Sequence, residues 1–160
     1  MIRRSRWIAA AAALLSLGLV ASAQGRMVGA GAPPRPDSGT ANFAITNTTK
    51  KLEYAAGHFT DKVLGSGAIT YQLKILPGAT GTYKVTSKKV VLYTGKGSLS
   101  GTATALVTVT KTSETITDGK LNLTKGFGSL KGDSLKVKFT GTANLSANQY
   151  AFSYSGKFTA

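Results

Sequence analysis

Between residues 41 and 160 the side chains able to move a proton are few: Glu53, Asp61, Glu114, Asp118, Asp133 and the single histidine, His58. Glu53, Tyr54, His58 and Asp61 lie close together in sequence, and on a helical turn Glu53, Gly57 and Asp61 would share a face. Such a group could supply a general acid or base if it lined a cavity mouth, which makes Glu53, His58 and Asp61 the catalytic candidates. The competing reading is that one histidine beside a carboxylate is structural or simply exposed. Asp118 and Asp133 stand beside glycines and are explained by turns, while Glu114, among Thr and Ser, reads as solvent-exposed. With one histidine and no cysteine a zinc site has too few ligands. Serines are plentiful, but no G-x-S-x-G elbow activates one. The chain is therefore expected to carry no metal and no cofactor.

A second possible chemistry lies in glycine. "GKGSLSG" at 95–101 returns as "GFGSLKG" at 126–132, and an imperfect copy, "GSGAI", begins at 65. A phosphate loop needs a Lys-Ser/Thr ending with a helix behind it, and a dinucleotide fingerprint needs its third glycine three residues after the second. Here the third glycine follows four residues after the second, and "TATALVTVT" or "SLKVKFTGT" comes next, neither of them helical. Gly95, Gly97, Gly101, Gly126, Gly128 and Gly132 are thus structural glycines, marking bends, bulges and close backbone approach in a curled sheet.

The elements that must position these residues have a period of two. Ile69, Tyr71, Leu73 and Ile75 oppose Thr70, Gln72 and Lys74; Leu135, Val137, Phe139, Ala143 and Leu145 oppose Lys136, Lys138, Thr140, Thr142 and Asn144. Ala103, Ala105, Val107 and Val109 alternate with threonines, and Tyr150, Phe152, Tyr154 and Phe158 form an aromatic ladder near the end of the chain. These are half-buried antiparallel strands. Turns are expected at Pro77-Gly78, Thr94-Gly95, Asp118-Gly119 and Gly132-Asp133, with Asp118-Gly119 the strongest hairpin signal. Successive strands then pair as a meander. One stretch departs from the pattern: Leu52, Ala55, Ala56, Phe59 and Val63 recur at three and four, which suits a helical turn or an irregular strand.

Residues 1–23 have the form of a secretory signal peptide. Arg3, Arg4 and Arg6 precede an apolar run from Trp7 to Val20, and "ASA" at 21–23 places cleavage between Ala23 and Gln24. The run is about 14 residues, short of the roughly 20 that span a bilayer, so no membrane span is expected after cleavage. Residues 24–40, rich in Pro and Gly, read as a flexible tether, and 41–160 as one domain able to bury a core without disulfides. The whole chain carries a formal charge of +14, which becomes +11 when Arg3, Arg4 and Arg6 leave with the leader. A surface of fifteen lysines is drawn to anionic polymers or lipid. A nucleic-acid reader usually adds arginine and clustered aromatics; after the signal peptide the arginines are only Arg26 and Arg35, both in the tether, so no nucleic-acid partner is expected.

The order strand, G-x-G-x-L-x-G, strand, followed by a closing strand with Tyr150, Phe152, Tyr154 and Gly156, resembles the secreted bacterial members of the allene oxide cyclase-like barrels, related in fold to dirigent proteins. The likeness runs over residues 65–160. It implies an all-β chain, a single antiparallel meander closed into a barrel of about eight strands with an apolar lumen, often as a homotrimer. No catalytic residue of the plant cyclase maps onto this chain. Three functions follow as expectations. The first is a secreted or periplasmic, noncatalytic barrel that binds a small apolar molecule or a partner, with Tyr150, Phe152 and Tyr154 in the lumen wall. The second is a lysine-rich structural protein held to anionic envelope polymers. The third is a cyclase or isomerase working by confinement.

Overall fold

Eight strands follow one another along the chain: β1 (Arg35–Thr48), β2 (Glu53–Asp61), β3 (Gly65–Pro77), β4 (Thr82–Thr94), β5 (Gly97–Val109), β6 (Ser113–Gly128), β7 (Ser134–Asn144) and β8 (Gln149–Thr159). The computed structural model describes residues 32–160. The leader, its cleavage point at Ala23 and Gln24, and tether residues 24–31 lie outside the described residues. Every strand pairs antiparallel with its sequence neighbour, and β1 pairs with β8, so the meander closes into an eight-stranded barrel. No helix is present among the described residues, and so none there is long and apolar enough to cross a membrane.

Two expectations from the sequence change, and one open alternative is decided. Residues 35–40, assigned to the tether, are the first part of β1. Arg35 to Phe43 pair with Phe158 to Tyr150 on β8, and Pro36 is tolerated because β1 has only that neighbour until Gly39 meets Asp61 on β2. The stretch around residues 53–61 is strand β2 throughout, because between β1 and β3 both ladders are available to it. Asp118-Gly119 is no hairpin: it lies inside β6, where Asp118 has a φ of 49° and the register with β7 shifts between Ile116 and Gly119. The β5–β6 turn comes earlier, at 110–112, where the Thr110 hydroxyl bonds to Ser113.

That bulge and another at Lys88-Lys89 decide which residues face inward. On β6, Glu114 and Ile116 are buried before the bulge and Leu121 and Leu123 after it, a switch from even to odd positions. On β4, Ser87 is buried before the irregularity between Ser87 and Val90, and Val90 and Leu92 after it. An extra residue in one strand of a ladder rotates everything beyond it by one side-chain position.

The two ends of the barrel differ. At one end the interior is filled by Leu99, Leu123 and Leu135, each fully buried, and by Phe158, over whose ring the Arg35 guanidinium carbon lies 5.1 Å from the centroid. Leu64 and Leu130, from the β2–β3 and β6–β7 turns, fold in as a lid. All three glycine-rich copies belong to this closed end. Gly97 and Gly128 face each other across the β5–β6 ladder, both with positive φ, and a Cβ on Gly97 would run into the Phe127 carbonyl. Gly101 and Gly126 are likewise pressed against neighbouring backbone, and Gly132 has a φ of 95°. Gly95 is different, since a Cβ there meets open space and its φ is not positive. Gly97→Ala is therefore expected to cost about 1–3 kcal/mol in urea unfolding, and Gly95→Ala to stay within about 0.5 kcal/mol of the parent.

Candidate functional site

At the other end, which carries the turns at 49–52, 78–81, 110–112 and 145–148, the barrel is hollow. A cavity of about 90 Å³ runs inward from a rim that includes the half-exposed Ile75, with walls almost wholly apolar. Phe43 is the hub of its aromatic wall. Its ring stacks on Tyr150 (centroids 4.9 Å apart, planes at 11°) and meets Tyr71 and Phe152 edge-on at 4.5 and 4.6 Å, while Phe152 packs on Phe139 at 5.0 Å. Alternation puts Ala41, Phe43, Tyr71, Phe139, Tyr150 and Phe152 on the inner face, and aromatic pairs at such distances add about 0.5–1.5 kcal/mol each beyond their burial.

Tyr150, Phe152 and Tyr154, expected in the lumen wall, all line this cavity. Tyr154 differs from the other two in where its hydroxyl goes. It donates to Asp61 Oδ2 at 2.7 Å, so its ring serves the cavity while its oxygen ties β8 to β2. Gly39 lies directly beneath that phenol, where any side chain would collide with it.

The group Glu53, His58 and Asp61 does not form one site. With β2 extended, Glu53 and Asp61 both point inward, but eight residues at roughly 3.3 Å each set them about 26 Å apart, at opposite ends of the barrel. His58 is exposed on the outer face, opposite Asn42 and Ala68. A helical turn would have brought the carboxylates together; the strand separates them.

Each carboxylate finds other company. Asp61 accepts from the amides of Val63 and Leu64 at 2.8 and 2.6 Å and from Tyr154. Asp37 is buried beside it; Oδ1 accepts from the Ser38 amide at 2.8 Å and Oδ2 has no partner. Burial first, and the neighbouring Asp61 second, push the Asp37 carboxyl up to about 6, and a proton on it would serve as a donor to Asp61. At the hollow end, Glu114 is 8 % exposed, buried rather than solvated as its polar neighbours suggested, and accepts from Tyr83 Oη at 2.5 Å. Glu53 lines the same cavity, its carboxyl raised by burial and then by Glu114. Burial, followed by these carboxylates, holds the Tyr83 phenol far above its ordinary value and pushes Tyr150 up to about 12, so both stay neutral donors.

Sequence reasoning missed Phe43, Tyr83, Ser87 and Asp37 as interior residues of consequence, and it placed Tyr71 on an inner face without giving it a role. Phe43 had a signal in the alternation Ala41, Phe43, Ile45. Tyr83 had one too, with Val85 against Lys84 and Thr86, whereas Ser87, a polar residue just before the bulge at Lys88-Lys89, had none. Among the described residues no three His, Cys, Asp or Glu side chains come together to hold a metal ion. Compared with protein-family models, curated proteins and solved structures, the chain matches none.

Asp37 binds its proton more tightly in the barrel than in the unfolded chain, where the carboxyl titrates near 3.8. Its destabilising contribution is absent below that pH and complete above about 6. Asp37→Asn should therefore raise Tm at pH 7.5, with a gain that shrinks as pH falls from 6 to 4. Parallel Tm–pH curves for the two proteins would show the pair to be irrelevant.

Proposed function

We propose that this is a secreted, noncatalytic barrel that holds a small, mainly apolar molecule in the hollow half of its lumen. One observation carries the reading. Two hydroxyls in the cavity wall, Tyr71 Oη and Ser87 Oγ, are buried with no hydrogen-bond partner. Each such group costs about 1–3 kcal/mol, and a wall meant only to be packed would be better built from Phe and Ala. Burial raises the Tyr71 phenol well above its ordinary value, so it waits as a donor for an oxygen on the guest. A cavity of about 90 Å³ is smaller than the dry apolar cavities of about 150 Å³ that take up benzene, so it suits a slender guest that keeps one end at the open mouth. Placement among the allene oxide cyclase-like barrels belongs to the same proposal. It rests on the motif order and on the eight-stranded meander.

The outer face favours a second reading as an envelope-associated protein. Lys120 lies directly across from Lys138, and Lys136 from Lys157, on the outside of β6, β7 and β8. Like charges opposite each other destabilise a sheet, a cost that an anionic polymer laid over these strands would reverse. Replacing Lys136 and Lys138 by Gln should then lower the salt concentration that elutes the protein from a polyanion column. An unchanged elution would remove this reading.

Native mass spectrometry of the mature protein from its own host tests the first. A mass excess lost on denaturation is expected, and the same spectrum reads out a trimer. Turnover of the released compound would move the protein to the cyclase or isomerase class. Tyr71→Phe should stabilise the empty barrel by about 1 kcal/mol, through loss of an unsatisfied hydroxyl, yet reduce the bound fraction. A variant that keeps its guest fully would deny Tyr71 its role.

A further inference from the structure

Four inward side chains at the cavity mouth come from every second strand: Glu53 on β2, Tyr83 on β4, Glu114 on β6 and Tyr150 on β8. In a closed eight-stranded barrel, strands four apart face each other across the lumen. The two carboxylates are thus opposed, and so are the two phenols, in a ring that alternates acid and aromatic. The charges felt by Glu53, Tyr83 and Tyr150 come from the members of the ring itself, Glu114, Glu53 and, at Tyr83, Tyr150, and none from the fifteen lysines of the chain. Glu114 is held by the Tyr83 hydroxyl, whereas no phenol is bonded to Glu53. Below the ring stand the unpartnered hydroxyls of Tyr71 and Ser87, 7 % and 3 % exposed, in the wall of the same cavity.

We infer that this ring binds the ammonium group of an apolar amine, whose body occupies the cavity beneath it. The inference rests on the ligand-holding reading and names its ligand class. Opposed carboxylates give charge-assisted hydrogen bonds to an N–H donor. The Tyr150 ring, one face of which stacks on Phe43, adds an electron-rich surface beside them that favours a cation. Two carboxylates fall short of the six or more oxygens that calcium requires, so an organic monocation fits the donor set better than a divalent metal. The lysine-covered exterior repels ammonium ions, which leaves the mouth as the place where one is stabilised.

The test titrates the mature protein with hexylamine, hexanol and hexanoate at pH 7, following the Tyr and Phe ring resonances of the lumen by NMR. Hexylamine is expected to bind about tenfold more tightly than hexanol, or better, with hexanoate weakest. Glu53→Gln should bring hexylamine down to the affinity of hexanol for the same variant. Hexanol binding as well as hexylamine would overturn the amine inference and leave the lumen reading standing. If none of the three moves the lumen resonances, both readings fall. Should Glu53→Gln not fold, the comparison of amine with alcohol on the parent protein decides alone.

Discussion

Hydrogen bonding between the first strand and the last is the constraint from which the other features follow. Nine consecutive residues of β1, Arg35 to Phe43, pair with β8. That ladder removes both sheet edges, fixes the strand number at eight, and thereby sets the lumen width. Once the sheet is closed every second residue must be accommodated inside. At one end leucines and Phe158 fill the space; at the other, Ala103 and Ala105 face Phe43 and its aromatic neighbours and leave a hollow. Asp37 is buried for the same reason, since pairing with β8 carries it inside the wall beside Asp61 and Tyr154.

The all-β class and the meander were legible because alternation is a local signal that a two-sided sheet imposes directly; closure was not in the alternation and came only with the resemblance, since the pairing of β1 with β8 joins opposite ends of the chain. Ile69 to Leu73, Leu135 to Phe139 and Tyr150 to Phe158 each read correctly from the residues alone. What could not be read was phase across irregularities. Asp118-Gly119 has the composition of a hairpin, and in this barrel its positive φ serves a bulge inside a sixteen-residue strand. Glu114 therefore turns inward, although the odd-numbered pattern of Leu121 and Leu123 run backwards would have pointed it to solvent. Of the candidate residues, the aromatic ladder survived because it depends only on parity. The Glu53, His58 and Asp61 group did not, because it depended on a helical spacing that the paired strand replaces.

Charge is sorted by the wall. Asp37, Glu53, Asp61 and Glu114 are on the inner side, and the lysines on β6, β7 and β8 are on the outer side, with ladders that set some of them against each other. A carboxylate in a low-dielectric interior is costly unless hydrogen-bonded. The two ends meet that cost differently. Asp61 is satisfied by two amides and a phenol, so the closed end is a fastening. At the mouth Glu114 takes the Tyr83 phenol and Glu53 takes none, and at the closed end Asp37 Oδ2 is likewise left without a partner.

The clasp between β1 and β8 also sets an order in time. Its partners are distant along the chain: Arg35 pairs with Phe158, and Ile45 is bonded to Asn148 across 103 residues, while Tyr154 ties β8 to Asp61 on β2 across 93. The intervening hairpins are local and can assemble in any sequence, but the barrel has no interior until its last strand arrives. Closure through so distant a pairing is slow, and until it happens the sheet presents two unpaired strand edges to its neighbours. A piece that lacks β8 thus cannot hide its own edges.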